Sequence, residues 1–315
     1  MAVSQGQAAE HRPIPQPAER FLTSNLTDIH FTESLPDLVR LSAIYGPIYQ
    51  LHLLDQHTVF LSSHEQVDHA CDGGKFEKAF GDAPIWSLAH RILFPAIGPL
   101  AIRKMQPMMV DVISQMLLHW EHHAGQPFEA AEQYTNLTFD TIAWCTFKYR
   151  FNSFHSATPH PFISTMASLL KESSARAKRP GILKKLMFMS DAEYTRNIQA
   201  LLKQCDEIIE ARCKYPDPDA HDSLNNMFLD RDPSTGEALS DENIRYQMVT
   251  FLITGHETTS GLLSFATYFM LKNPVILRKA REEAENVIGE SGGDMMKMNA
   301  NKLKYIDAIL KETLR

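Results

Sequence analysis

The segment SDENIRYQMVTFLITGHETTSGLLSFATYFML, from Ser240 to Leu271, contains no proline and no strand-like alternation. Ser240 is a capping residue, Asp241 and Glu242 put negative charge into the first turn, and Asn273-Pro274 ends the run. The spacing therefore predicts one helix across Ser240–Leu271, far longer than the usual 11–12 residues or so. Around Val249–Phe269 it is apolar on most faces, which places it through the middle of a fold. Phe251–Leu271 is about long enough to span a bilayer, but His256, Glu257 and several hydroxyls are costly at membrane depth. A buried helix of a soluble protein is the expectation.

Most of the remaining chain repeats the same 3.6-residue period. Helices are expected at about Ser63–Cys71, Pro84–Leu93, Ala101–His122, Ala130–Phe147, Pro161–Lys178, Asp191–Lys214, Pro274–Ile288 and Lys302–Arg315, with a further one from Leu35 to Tyr45. Ile48–His52 and Thr58–Leu61 read as a small β-hairpin after a Gly46-Pro47 stop, and YPDPDA at Tyr215–Ala220 reads as a loop. Residues 1–31, with Pro13, Pro15 and Pro17, read as an extended N-terminal arm, and residues 32–315 as one mainly α body.

Composition narrows the function. The chain has 315 residues, 44% apolar and 22% charged, with a formal net charge of −7, so disordered, fibrous and nucleic-acid-binding classes are excluded. Cys71, Cys145, Cys205 and Cys213 are too few and too scattered for a disulfide framework or a C-x-x-C site, which fits a reducing compartment. The first residues, MAVSQGQAAEHRPIPQPAERF, hold no apolar signal segment, and a cytoplasmic location without a transmembrane segment is expected.

Chemistry concentrates in Thr254-Gly255-His256-Glu257-Thr258-Thr259, polar residues inside an apolar run. Two readings stay open. In one, Thr258 bonds back to the carbonyl of Thr254 and Gly255 lets a neighbouring helix approach. In the other, the same two residues open the helix into a groove for a ligand, and Glu257 and Thr258 pass protons to a bound oxygen species. His256-Glu257 begins the zinc motif H-E-x-x-H, but Ser260 stands at the second histidine position. His119, His122 and His123 read as a solvated helix end, and no metal site is expected. Glu312 and Arg315 lie three apart on one helix face and can pair, and Trp86 and His90 lie one turn apart with Arg91 following.

Taken in order, these motifs resemble the cytochrome P-450 family of haem-thiolate monooxygenases. Thr254–Thr259 is similar to its A/G-G-x-D/E-T-T segment, Glu312–Arg315 to its E-x-x-R, and Trp86–His90 to its W-x-x-x-R/H helix. YRFNSFHSATPHPFI and DPSTGEALSDENIRYQMVTFLITGHETTSGLLSFATYFMLKNP resemble the self-sufficient fatty-acid hydroxylases, whose haem domain is fused to an NADPH-dependent flavin reductase. The resemblance implies a haem cofactor, O₂, a fatty acid or similar lipid as substrate, and FAD, FMN and NADPH acting through the reductase. It implies that Thr258 and Glu257 serve oxygen activation, that Trp86, His90 and Arg91 hold a haem propionate, that Gly255 and Thr254 face the haem, and that Glu312 and Arg315 form a structural ion pair.

Three departures accompany the resemblance. The family's ligand loop, F-x-x-G-x-R-x-C-x-G, lies beyond the E-x-x-R and outside these residues, so the expectation is a partial haem-binding body that is inactive alone. Only GDAPI separates KFEKAF from Trp86, and Thr254 stands where alanine is usual. From a different class, a haem-free helical module binding lipid or a partner protein is the alternative.

Overall fold

Local sequence accounts for most elements of the computed structural model, which describes residues 13–21, 24–30, 34–53, 56–76, 84–156, 158–178, 188–217, 222–233 and 235–315. Among these residues are eleven α-helices and one two-stranded antiparallel sheet near the N-terminus, the mainly α fold expected. The chain divides into two compact units, residues 1–81 with 170–191 and residues 82–169 with 192–315.

In the first unit, α1 (Ser34–Tyr45) stops at Gly46, whose φ of +93° suits glycine and whose N–H caps the Ser42 carbonyl at 2.9 Å. The chain then turns into β1 (Ile48–Leu53) and β2 (Gln56–Leu61), paired from Ile48↔Leu61 to Leu53↔Gln56. Alternation sends Tyr49 and Leu51 inward against Leu41, with Ile29 and Phe60 around them. Ser63 caps α2 (His64–Ala70) by accepting from the Gln66 N–H. The proline-rich arm lies on β1: the Gln50 N–H donates to the Pro15 carbonyl at 2.9 Å, and buried Asn25 accepts the His52 N–H at its Oδ1.

The second unit holds α3 (Pro84–Leu93), α4 (Pro99–His122), α5 (Ala130–Phe147), α8 (Ser223–Leu229), α9 (Asp241–Lys272), α10 (Pro274–Glu290) and α11 (Lys304–Thr313). The ranges of α6 (Pro161–Lys178) and α7 (Phe188–Lys214) contribute to both units. Ser240 caps α9 through the Asn243 N–H, as its sequence predicts. The core is built on α5, buried from Asn136 to Asp140 and again from Cys145 to Phe147. Its Thr138 hydroxyl donates to the His256 carbonyl of α9 at 3.0 Å, and Tyr134 shares a hydrogen bond with Thr267 at 2.8 Å. Val112, Met116, Leu137 and Phe154 form a neighbouring cluster.

Three features differ from expectation. Helix α8 is too short to show a period, and it forms because Asp222 caps the Asn225 N–H while pairing with Arg212. Helix α11 stops at Thr313, short of Arg315. Helix α9 is not enclosed on all sides: Leu252, His256 and Ser260 are buried, whereas Thr254, Glu257, Thr258 and, further on, Phe265, Tyr268 and Leu271 are exposed.

Candidate functional site

The exposed strip of α9 is a ladder of threonines. The Thr250 hydroxyl donates to the Tyr246 carbonyl, that of Thr254 to the Thr250 carbonyl at 2.8 Å, and that of Thr258 to the Thr254 carbonyl at 2.9 Å. Each hydroxyl spends its proton on its own helix and keeps acceptor lone pairs for a ligand. Glu257 is exposed beside them.

The helix is unbroken from Asp241 to Lys272, so of the two readings it is the back-bond of Thr258 with a close helix approach at Gly255 that the structure shows, not a local opening. Gly255 serves packing. A Cβ built on it would sit 2.5 Å from Cγ1 of Ile142, so glycine is what lets α5 come this close. Thr254 and Thr258 thus share one open face, while Gly255 faces the packed side.

Trp86 and His90 both belong to α3, one turn apart as expected. His90 is exposed, its ring 5.3 Å from that of Phe94. Arg91 departs from expectation. Its guanidinium grips Asp232 with both ends, Nε to Oδ1 at 2.8 Å and Nη2 to Oδ2 at 2.6 Å, and Asp232 has no exposed side-chain surface. The buried carboxylate, which also accepts from the Thr235 hydroxyl, takes the guanidinium that a propionate would need. Nothing in the spacing of Arg91 and Asp232 points to this pair, which joins residues 141 positions apart. The short Phe80–Trp86 connection falls mostly on residues 77–83, outside the described residues.

Glu312, in the last turn of α11, and Arg315, just past its end, meet at 3.4 Å, with side chains 72% and 80% exposed. The pair forms at the surface, where it contributes little. At the end of α4, the His122 and His123 rings bond to the carbonyls of Leu118 and His119. Among the described residues, no group of three or more His, Cys, Asp or Glu side chains is arranged to hold a metal ion.

Two of the four cysteines, Cys145 and Cys205, are buried. Burial pushes the Cys145 thiol up to about 11 and the Cys205 thiol up to about 12. Cys71 and Cys213 are exposed, free thiols.

Residues 14–315 match the cytochrome P450 family. The chain belongs to this family. It is 40% identical over 322 residues to a self-sufficient cytochrome P450 monooxygenase of Phanerodontia chrysosporium, an alignment covering 96% of this chain and 30% of that protein. Bifunctional cytochrome P450/NADPH–P450 reductases are similarly close: that of Fusarium oxysporum is 40% identical over 98% of this chain and 30% of its own length, and that of Bacillus cereus 39% identical over 96% and 30%. The chain thus spans about 30% of the length of these curated relatives.

The P450 cofactor is haem, and the residues present fit it unevenly. The threonine face offers hydroxyl acceptors beside an exposed carboxylate, and α3 offers an exposed imidazole at His90. Cys145 and Cys205, whose thiols burial pushes up, do not fit the iron's thiolate.

Proposed function

We propose that this P450 chain forms the oxygen side of a monooxygenase that inserts one atom of O₂ into a C–H bond of a fatty acid or similar lipid, with electrons from NADPH through a flavin reductase. The observation that carries the reading is the exposed Thr254–Glu257–Thr258 face in the middle of a 32-residue helix. When bound, haem supplies the redox chemistry that this set of side chains lacks. Thr258 Oγ1 would accept a hydrogen bond from a ligand on this face while its own proton stays on the Thr254 carbonyl. Rotation about its Cα–Cβ bond releases the 2.9 Å contact and turns the same hydroxyl into a donor. Glu257 exchanges protons with water at its exposed carboxylate and recharges the threonine. His90, with Trp86 one turn away, holds a propionate; Arg91 is left out of this set because Asp232 occupies it.

The names of the relatives, which pair a P450 with an NADPH reductase, support the electron source. The lipid substrate rests on the resemblance to fatty-acid hydroxylases. A location in the cytoplasm is part of the proposal; among the described residues, no helix is long and apolar enough to cross a membrane. The test is ¹⁸O₂ turnover of a long-chain fatty acid by the full-length gene product with NADPH. One ¹⁸O per hydroxylated product is expected, with Thr258→Ala diverting NADPH consumption to peroxide. Absence of ¹⁸O from the product overturns the reading and favours a haem-free lipid-binding module.

A further inference from the structure

A cleft lies where the first turns of α4 approach the end of α5 and α8, and no residue of α9 lines it. Its volume of about 480 Å³ is within the range of small-molecule sites. Leu100, Met105 and Met108 give it an apolar wall, and Lys104, Lys148 and Asp217 give it charge.

Lys148 is unusual in two respects. It caps α5 with a φ of +53°, a left-handed conformation that helix ends normally assign to glycine or asparagine. This backbone directs the side chain towards α4, where Nζ lies 2.8 Å from the thioether sulfur of Met108 and 5.2 Å from the centroid of the Trp144 ring. An ammonium has three N–H donors, and a thioether is a weak acceptor. Among the described residues, neither Lys148 nor Lys104 is paired with a carboxylate. Two ammonium groups and the Asp217 carboxylate leave the cleft with one net positive charge above an apolar floor.

We propose that this cleft binds a monoanionic amphiphile, an alkyl carboxylate, with its head between Lys148 and Lys104 and its chain along Leu100, Met105 and Met108. The proposal is independent of the monooxygenase reading, because it uses none of the residues on the threonine face.

The test is calorimetric titration of the 315-residue chain with dodecanoate, and with dodecanol and dodecyltrimethylammonium as neutral and cationic counterparts, all below their micellar concentrations. Dodecanoate is expected to bind saturably, more weakly as salt rises, and at least tenfold tighter than either counterpart. Lys148→Asn keeps a residue that tolerates the left-handed backbone and removes the cation. Combined with Lys104→Gln, it is expected to weaken dodecanoate at least tenfold and to leave dodecanol unchanged. Unchanged dodecanoate affinity in the double variant, or equal affinity for dodecanol and dodecanoate in the parent, overturns the proposal. If Lys148→Asn does not melt cooperatively, Lys104→Gln alone decides: at least threefold weakening supports the site, and an unchanged affinity overturns it.

Discussion

Gly255 of α9 faces Ile142 of α5 so closely that an added Cβ would meet Cγ1 at 2.5 Å and Cδ1 at 2.8 Å. Two core helices are thereby brought together at the turn that also carries the threonine face. Gly255→Ala gains roughly 1 kcal/mol of helix propensity but overpacks the contact by roughly 1–3 kcal/mol. A net loss of roughly 0–2 kcal/mol is expected in urea unfolding. Ile142→Ala in the same chain removes both clashing atoms, so the two substitutions together should cost less than their sum. Strict additivity would show that the helices do not meet here.

Arg212 and Asp222 form a tighter knot. The carboxylate is wholly buried and the guanidinium 10% exposed, with Nη2 2.6 Å from Oδ2; the same guanidinium donates to the Phe147 carbonyl and to Asn225 Oδ1. Asp222→Ala strands a buried cation and removes the cap of α8, a change expected to cost roughly 3–5 kcal/mol. Denaturant midpoints measured beside Asn226→Ala, also on α8, check the size; a loss below 1 kcal/mol would contradict the arrangement.

Acid sensitivity follows from Asp37 in the first unit. The His30 backbone N–H, then the His30 ring and Arg40, hold its carboxyl down at about 2, against an ordinary 3.8. Because the folded pKa is depressed, the unfolded chain binds the proton first, and the contribution of Asp37 is fully present above pH 3.8 and lost as pH falls to about 2. The stability gap between the parent and Asp37→Asn should be constant above this window and close within it. A gap that persists at pH 2 would contradict the assignment.

Thiol chemistry separates the cysteines into two pairs. Exposed Cys71 and Cys213 should label with a disulfide reagent at pH 8 within the mixing time of a manual assay, whereas Cys145 and Cys205, held protonated by burial, should label only on unfolding. Four fast thiols in the native chain would disprove the burial.

The same burial predicts how the 315-residue chain treats haem. Reduced with dithionite and exposed to CO, a haem-loaded sample should show no red-shifted, thiolate-type band that depends on Cys145 or Cys205, because burial pushes both thiols up. Appearance of that band, and its loss in Cys145→Ala or Cys205→Ala, would identify a ligand where the structure shows packed thiols.

Periodicity was legible wherever a helix buries a long apolar stripe. Helices α3 and α5 have the bounds expected of them, and β1 and β2 pair as their alternation requires. Helix α8 was not legible, since seven residues contain too few turns to show a period and its stability comes from the tertiary Arg212–Asp222 pair. Within the site, the Thr258 back-bond is a local i to i−4 contact and was readable from Thr254 and Thr258 alone. The partner of Arg91 was not, because an ion pair between distant residues leaves no mark on the spacing of either one.

Local order of residues was enough to establish a mainly α protein with a long central helix and the motif order of a P450. Helix caps, apolar stripes and turn residues act over a few positions, and that is the range over which a linear chain carries its own structural information. Which face of α9 stays open, that Gly255 is spent on Ile142, that Arg91 belongs to Asp232 and that Lys148 points its ammonium towards Met108 were decided only by packing. Each depends on two segments meeting in space, where exclusion of water sets which polar groups must pair and which remain available to a ligand.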